Sequence, residues 1–172
     1  MRRKRFTLNY GDKVRYRGHD CLIVARDGNR VGFDGGGFYM PPDLAPEQIK
    51  SACVRIYRML AKRDFTAKTL DLAAQMNVKP AKVKINGAKT RWGSCSAKGN
   101  INFSWRLVRA DDDLIDYVIV HELAHLTEMN HSSRFWAIVE SVMPDYRKRK
   151  ARLRELQKQF DAENWEQMKS HK

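Results

Sequence analysis

Three closely spaced histidines inside an apolar segment are the feature that most constrains how this chain can fold. The segment VIVHELAHLTEMNHSSRFW, residues 118–136, holds three of the five histidines in the sequence. His121 and His125 are four residues apart, so on a helix their rings project from one face about one turn apart. This geometry suits two nitrogen ligands that bind the same metal ion.

The helix that carries these two histidines is predicted to be buried. Asp111 to Asp113 supply cap and first-turn acids for a helix that we expect to begin near Leu114. Apolar residues then cover most of its circumference, and a helix that is apolar nearly all round packs inside a protein. Two histidines and Glu122 in such a place would be costly unless something binds them.

A third ligand must come from outside this helix, and His131 is the nearest candidate. On a continued helix it would lie about 9 Å beyond His125 and away from the ligand face, so the chain is expected to turn between them. Asn130 tolerates the left-handed conformation that ends helices, and Ser132 can begin the next one. We therefore predict that Zn²⁺ is bound by His121, His125 and His131.

Glu122 lies between the two helical histidines, about 100° round the helix from His121. It can reach the open side of the metal without ligating it, and the pattern assigns it the role of general base towards a zinc-bound water. HExxH followed by five residues and a histidine has the spacing of metzincin zinc sites, although Glu128 stands where metzincins carry glycine. The alternative is a set of satisfied core histidines, which must also account for Glu122.

The first half of the chain is predicted to form a β region followed by a helical region. In the β region, residues 8–42, the runs CLIVA and NRVGF flank Asp27-Gly28, which is a strong hairpin-turn signal. Pro46 can occupy a first helical position. Apolar residues then recur at helical spacing, so residues 46–78 are expected to be helical.

Residues 79–160 are predicted to form the catalytic core of a single domain that spans residues 1–172. KVKIN and INFSWRL alternate with a period of two, which predicts an antiparallel meander. Ser132 or Ser133 is expected to cap a helix that Pro144 interrupts. A charged helix follows from Asp145 to about residue 160.

The charge balance is strongly basic, with a net charge of +13. Seven of the basic residues fall in RKRKARLRELQK, residues 147–158. Such a balance favours anionic partners, although a solvated basic helix face is the simpler interpretation. We predict weak binding of nucleic acid by residues 147–158, without sequence preference.

Sorting signals and cysteines favour a cytoplasmic protein without a membrane partner. The basic start of the chain is not followed by an apolar run, and no apolar stretch has the length of a membrane helix. The three cysteines are widely spaced and form no CxxC pair, so neither a disulfide framework nor a thiolate metal site is expected. The oligomeric state is left open.

Three segments together resemble the YgjP-like metallopeptidase family, which is related to the SprT zinc proteases. They are KTRWGSCSAKGNINFSWRL, residues 89–107, DYVIVHELAHLTEMNHSSRFW, residues 116–136, and MPDY, residues 143–146. The resemblance implies an α+β, zincin-like fold in which a small antiparallel sheet packs on an active-site helix with flanking helices. It also implies His121, His125 and His131 as zinc ligands and Glu122 as the catalytic glutamate.

The resemblance implies hydrolysis of a peptide or protein substrate, and two other functions stay open. Tyr146 is a candidate donor to the developing oxyanion, with a helix-packing tyrosine as the alternative. Some family members are described as nucleotide pyrophosphatases acting on UTP, but the carboxylate cluster expected for magnesium-held phosphates is missing from the sequence. A nucleic-acid-associated protease acting on DNA-bound proteins is the other alternative, although no recognised DNA-reading motif is present.

Overall fold

The structure is a computed structural model that describes residues 5–166, so Arg2 to Lys4 of the basic start lie outside the described residues. Its strands are β1 (Lys13–Tyr16), β2 (His19–Ala25), β3 (Gly32–Phe33), β4 (Gly37–Met40), β5 (Lys82–Asn86), β6 (Gly93–Cys95) and β7 (Asn100–Ser104). Its helices are α1 (Pro46–Gln75), α2 (Asp112–Ala124), α3 (Ser133–Val142) and α4 (Tyr146–Phe160), with a 3₁₀ helix at Trp105–Arg109. The α+β class predicted from the sequence is confirmed.

The first sheet has the strand order β1-β2-β4-β3. Its two antiparallel pairs are β1 with β2 and β3 with β4, and neither is the hairpin predicted from the sequence. β1 and β2 are antiparallel across a turn at Arg17-Gly18, whereas β2 runs parallel to β4. The predicted hairpin at Asp27-Gly28 is therefore wrong. The tight turn that joins β3 to β4 is instead held by Asp34, whose Oδ1 accepts the backbone N–H groups of Gly36 and Gly37 at 3.0 Å each.

Helix α1 fills the predicted helical region as one continuous element. It begins at Pro46, and the Gln48 side chain accepts the N–H of Ala45 at 2.8 Å, which satisfies a backbone donor at the helix start. The helix ends at Gln75, three residues earlier than expected. Asn77, with φ of 53°, takes the left-handed conformation just after the end. Along its length α1 packs against α2, β5 and the 3₁₀ helix.

The second sheet has the order β5-β7-β6 and is mixed rather than antiparallel. β6 and β7 are antiparallel, but β5 and β7 are parallel, so the expected antiparallel meander is wrong for β5. The strand also stops at Ser104, earlier than predicted, because the Ser104 side chain accepts the N–H of Arg106 at 3.3 Å and caps the 3₁₀ helix. The order leaves β6 at the edge of the sheet.

Helix α2 is the centre of the fold and is buried as predicted. Nine of its 13 residues are buried, and it packs against α1, α3, α4 and β6. It begins at Asp112, two residues earlier than expected, and ends at Ala124. The expectation that Asn130 ends this helix in a left-handed conformation is wrong, because the turn comes earlier and Asn130 has no positive φ.

Two short connections place the last helices beside α2. The Ser132 side chain accepts the N–H of Phe135 at 3.3 Å, which confirms it as the cap of α3. Pro144 separates α3 from α4. Arg152 of α4 then pairs with Asp111 at 2.8 Å, and this contact ties α4 to the start of α2.

Buried apolar residues from all three predicted regions form one hydrophobic cluster, while the division into domains stays a prediction.

None of the helices within residues 5–166 combines the length and the hydrophobicity that a bilayer crossing requires.

Candidate metal centre

The three predicted ligand side chains meet at one point. The Nε2 atom of His131 lies 3.1 Å from Nε2 of His125 and 3.1 Å from Nε2 of His121. Within the described residues, these three are the only group of histidine, cysteine and acidic side chains arranged to hold a metal ion. His121 lies in the last turn of α2, and His125 is the first residue after that helix. His131 lies in the turn that precedes α3.

The protonation of these rings suits metal binding. The Nδ1–H group of His125 donates a hydrogen bond to the carbonyl oxygen of Glu128 at 3.0 Å, so in the neutral ring it is Nε2 that carries the free lone pair. Burial first, and then the charges of the neighbouring histidines and Lys150, lower the pKa of His121 to about 3. Burial, then His125 and Lys150, also lowers the pKa of His131. Neutral imidazoles whose lone pairs converge are good ligands for a divalent transition metal.

Phe135 forms the apolar wall against which the three rings rest. Its ring is fully buried. It stacks on His125 with a centroid distance of 4.5 Å, and it meets His121 and His131 edge-on at 4.9 Å each. Because Phe135 touches all three imidazoles, it restricts their rotation and holds their Nε2 atoms towards one another. The sequence predicted Phe135 only as an apolar residue of a helix, because its contact with the histidines depends on how the turn before α3 folds back on α2.

Glu122 is buried next to the histidines and against the edge strand. It is 6% exposed, and burial raises its pKa to about 7 against the opposing charge of Arg91. Gly93 of β6 leaves room for this side chain, since a Cβ at Gly93 would lie 3.0 Å from Cγ of Glu122. The carboxyl group therefore lies against β6, shares the lining of one cavity with His121, and in the metal-free protein can change its protonation state near neutral pH.

Tyr146 is connected to the histidines through the ring of Trp136. It is buried and stacks on Trp136 at 5.2 Å, and Trp136 in turn stacks on His131 at 6.0 Å. Tyr117, which the sequence did not single out, meets His121 edge-on at 6.0 Å. Burial first, and then Tyr146 and Glu122, raises the pKa of Tyr117 to about 12, so its hydroxyl stays protonated. The signal for Tyr117 was its position four residues before His121 on α2.

A cavity of about 360 Å³ opens beside the metal centre. His121, Glu122 and Tyr117 form part of its lining, and α4 and the residues before β6 supply the rest. This volume falls within the range of sites that take small ligands, about 300–1,000 Å³. A convergent set of metal ligands, an ionisable carboxyl group and an adjoining cavity together define a metal-dependent hydrolytic site.

The family of the chain agrees with this geometry. The family model described as "YgjP-like, metallopeptidase domain" matches residues 2–156. The chain therefore belongs to the YgjP-like metallopeptidase family, which makes it a hydrolase of the protease type whose histidines are placed to bind a divalent metal. A comparison with curated proteins gives no significant match.

Two solved structures are similar to part of the chain. The metallopeptidase zymogen abylysin of Pyrococcus abyssi is 25% identical, with a TM-score of 0.49, and the match covers 53% of this chain and 92% of abylysin. The metallopeptidase zymogen jannalysin of Methanocaldococcus jannaschii is 21% identical, with a TM-score of 0.47, and the match covers 55% of this chain and 95% of jannalysin. Both TM-scores lie below 0.5, so the family match carries the assignment.

Proposed function

We propose that this protein is a zinc metallopeptidase in which Glu122 acts as the general base. The observation that carries the proposal is the convergence of three imidazole Nε2 atoms at the end of the helix that also carries the buried Glu122. Zn–N bonds of 2.0–2.1 Å in a tetrahedral site require nitrogen atoms about 3.3 Å apart, close to the 3.1 Å separations found here. An all-nitrogen donor set favours zinc over the oxygen-seeking ions magnesium and calcium.

The chemistry that zinc supplies when bound is Lewis acidity, which polarises a carbonyl and lowers the pKa of a nearby water. The remaining steps belong to side chains of this protein. Glu122 accepts a proton from the attacking water and then donates it to the leaving amine. Phe135 keeps the histidine rings in place during the reaction.

The edge strand β6 is the proposed guide for the substrate. Within the second sheet β6 pairs on one side only, with β7, and it lies against α2. An extended peptide can add to such an edge through main-chain hydrogen bonds. Since Gly93 of β6 lies directly beside Glu122, a peptide bound there would pass the general base.

A tyrosine hydroxyl is proposed to stabilise the developing oxyanion. Tyr146 was predicted for this role from the sequence, and it lies behind Trp136 when viewed from His131. Tyr117 contacts His121 directly and lines the same cavity as Glu122. We therefore expect Tyr117→Phe to reduce kcat more than Tyr146→Phe when the two variants are compared at equal zinc content. If Tyr146→Phe has the larger effect, Tyr146 is the tyrosine that stabilises the oxyanion.

The test of the proposed function is Glu122→Gln in the zinc-loaded, full-length protein. The amide keeps the shape of the carboxyl group but cannot take the proton, so hydrolysis of casein should fall by about 10² to 10⁴-fold. Zinc content, measured on the same preparation, should stay at the wild-type level. Near wild-type hydrolysis with zinc retained would show that Glu122 is not the base.

Hydrolysis of UTP is the second candidate function, and one observation favours it. Arg91, Lys150 and Arg154 line the cavity beside the metal centre and would attract phosphates. Against it, among residues 5–166 no acidic cluster is arranged to hold a magnesium ion with the phosphates. Release of pyrophosphate from UTP, abolished by Glu122→Gln, would support this candidate over the peptidase.

A further inference from the structure

The cavity beside the metal centre has a basic lining that hydrolysis of a peptide bond does not by itself require. Arg91, Lys150 and Arg154 line this cavity together with His121 and Glu122. Lys150 and Arg154 are four residues apart on α4 and so project from the same face, whereas Arg91 precedes β6. A group bound in the cavity is therefore approached by cations from two elements.

These three cations differ from most basic residues of α4 because none of them forms an ion pair within residues 5–166, although the charge of Arg91 acts on Glu122, against the burial that raises the pKa of that carboxyl group. Arg147 pairs with Glu140 at 3.2 Å, Arg149 with Asp145 at 3.1 Å, and Lys158 with Glu155 at 2.9 Å. Arg152 pairs with two carboxylates at the start of α2. Within residues 5–166, by contrast, no carboxylate lies within ion-pair distance of the three cations that face the cavity. Their charge is available to a ligand.

Lys150 is held close to the reacting centre. Its Nζ lies 4.6 Å above the ring of Trp136, and Trp136 contacts both His121 and His131. A cation–π contact fixes the ammonium group while leaving its hydrogen-bond donors free. Lys150 can therefore bind an anion next to the metal centre.

The rest of the lining indicates what kind of anion fits. Trp92, Tyr117, Val118 and Leu153 also line the cavity, so apolar surface surrounds the cations. A carboxylate on a short aliphatic stem matches both parts, with its methylene groups against the apolar wall. Arginine binds carboxylates through two parallel hydrogen bonds, and Arg154 supplies such a group from the exposed side of α4.

We propose that this cavity binds a carboxylate of the peptide substrate, so that the enzyme prefers bonds next to an acidic side chain or next to a free C-terminus. The proposal rests on the proposed peptidase function and specifies its substrate class. The carboxylate of an Asp or Glu side chain and that of a C-terminus share one chemistry, and matched peptides distinguish them.

The test uses the full-length, zinc-loaded protein and synthetic peptides that contain the cleaved bond. One pair of peptides differs only by Glu or Gln beside this bond, and a second pair differs only by a free or amidated C-terminus. We expect wild-type kcat/KM to be at least about tenfold higher for the charged member of one pair, since a hydrogen bond to a charged group is worth this much or more. Whichever pair shows the difference identifies the source of the carboxylate.

The variants Lys150→Gln and Arg154→Gln should each bring kcat/KM for the charged peptide down towards the value for its neutral partner, mainly through a higher KM. Lys148→Gln is the matched control. Lys148 is exposed, forms no ion pair within residues 5–166 and lies about 200° round α4 from Lys150. It should behave like wild type. The charge reversal Arg154→Glu should move the preference towards a peptide with Lys beside the cleaved bond.

Two outcomes would overturn the proposal, and they can be told apart from failure of the peptidase function. If wild type cleaves charged and neutral peptides equally, the peptidase function stands and the carboxylate site is wrong. If wild type cleaves none of the peptides but hydrolyses UTP, and Arg154→Gln weakens that reaction, the cations bind phosphates and both proposals fail.

Discussion

At the scale of single residues, the metal centre depends on contacts that orient side chains. The carbonyl group of Glu128 sets which nitrogen of His125 carries the proton. Phe135 touches all three imidazoles, and Gly93 makes room for Glu122. None of these groups is itself a proposed metal ligand or the proposed base, yet each one positions a side chain that is.

Gly93→Ala should displace Glu122, the proposed general base. The added Cβ would lie 3.0 Å from Cγ of Glu122 and 3.1 Å from the backbone oxygen of Asn102, so the glutamate must move. Because small misplacements of catalytic groups are costly, we expect kcat to fall by about tenfold or more while zinc content is unchanged. Ser94→Ala is the control, since Ser94 projects from the opposite face of β6. Wild-type kcat in Gly93→Ala would contradict the assigned position of Glu122.

Glu122 should also make the stability of the metal-free protein depend on pH. Burial raises its pKa from 4.5 to about 7 in the folded state, so the folded state favours the protonated form. The cost of ionising it is absent below about pH 4.5, grows as the pH rises to about 7, and is complete above that. A shift of this size corresponds to on the order of 3 kcal/mol.

The measurement is urea denaturation of the metal-free wild type and of Glu122→Gln at several pH values. Glu122→Gln should be the more stable protein at pH 8, and the two should converge near pH 4. A stability difference that does not change with pH would mean that the carboxyl group has its ordinary pKa.

At the scale of elements, the ends of helices were more predictable than the pairing of strands. Pro46 and Ser132 begin helices because of chemistry within a few residues of each end. The order β5-β7-β6 depends on contacts between segments far apart in sequence, and alternation alone does not distinguish parallel from antiparallel neighbours. The hairpin prediction at Asp27-Gly28 failed for the same reason, since the partner of β2 comes from beyond the next strand.

The proposed metal ligands were easier to predict from the sequence than the residues that surround them. The positions of His121 and His125 follow from helical periodicity alone, and the need for a turn before His131 follows from the rise per residue. The roles of Phe135 and Lys150 could not be derived in this way, because they depend on how α3 and α4 pack against α2. Helix packing is set by the whole core rather than by local sequence.

Ser132→Ala should weaken the element that carries the third histidine. The Ser132 hydroxyl caps α3, and loss of such a cap costs about 1 kcal/mol. His131 precedes this cap and Phe135 follows it, so zinc affinity should fall along with thermal stability. Ser133→Ala is the control, because Ser133 is already inside the helix and its side chain is exposed. Equal zinc affinities for the two variants would show that the cap does not support the site.

At the scale of the whole molecule, the net charge of +13 is only partly free to act on other molecules. Several arginines, among them Arg149 and Arg152, are paired with carboxylates of the same chain. The predicted cytoplasmic location and nucleic-acid binding stay predictions. The pairing within α4 nevertheless limits how strongly residues 147–158 can attract a polyanion.

Binding of duplex DNA by residues 147–158 should therefore be weak and involve few phosphates. Lys148, Lys150 and Arg154 are the basic residues of this segment without an ion pair among residues 5–166. About three neutralised phosphates give a slope of about −3 in a plot of log K against log salt concentration. Fluorescence anisotropy with unrelated DNA duplexes measures this slope. Binding that is independent of salt, or that selects one sequence, would contradict the prediction.

The metal content of the purified protein bears most directly on the proposed three-histidine zinc site. Wild-type protein prepared without chelators should contain one zinc ion per chain by mass spectrometry, because the Nε2 atoms of three imidazoles converge within reach of one ion. His125→Ala removes the buried one of the three proposed ligands and should lose most of that zinc while keeping its secondary structure. Wild-type protein without any transition metal, or His125→Ala with full zinc occupancy, would contradict the assignment of His121, His125 and His131 as the metal site.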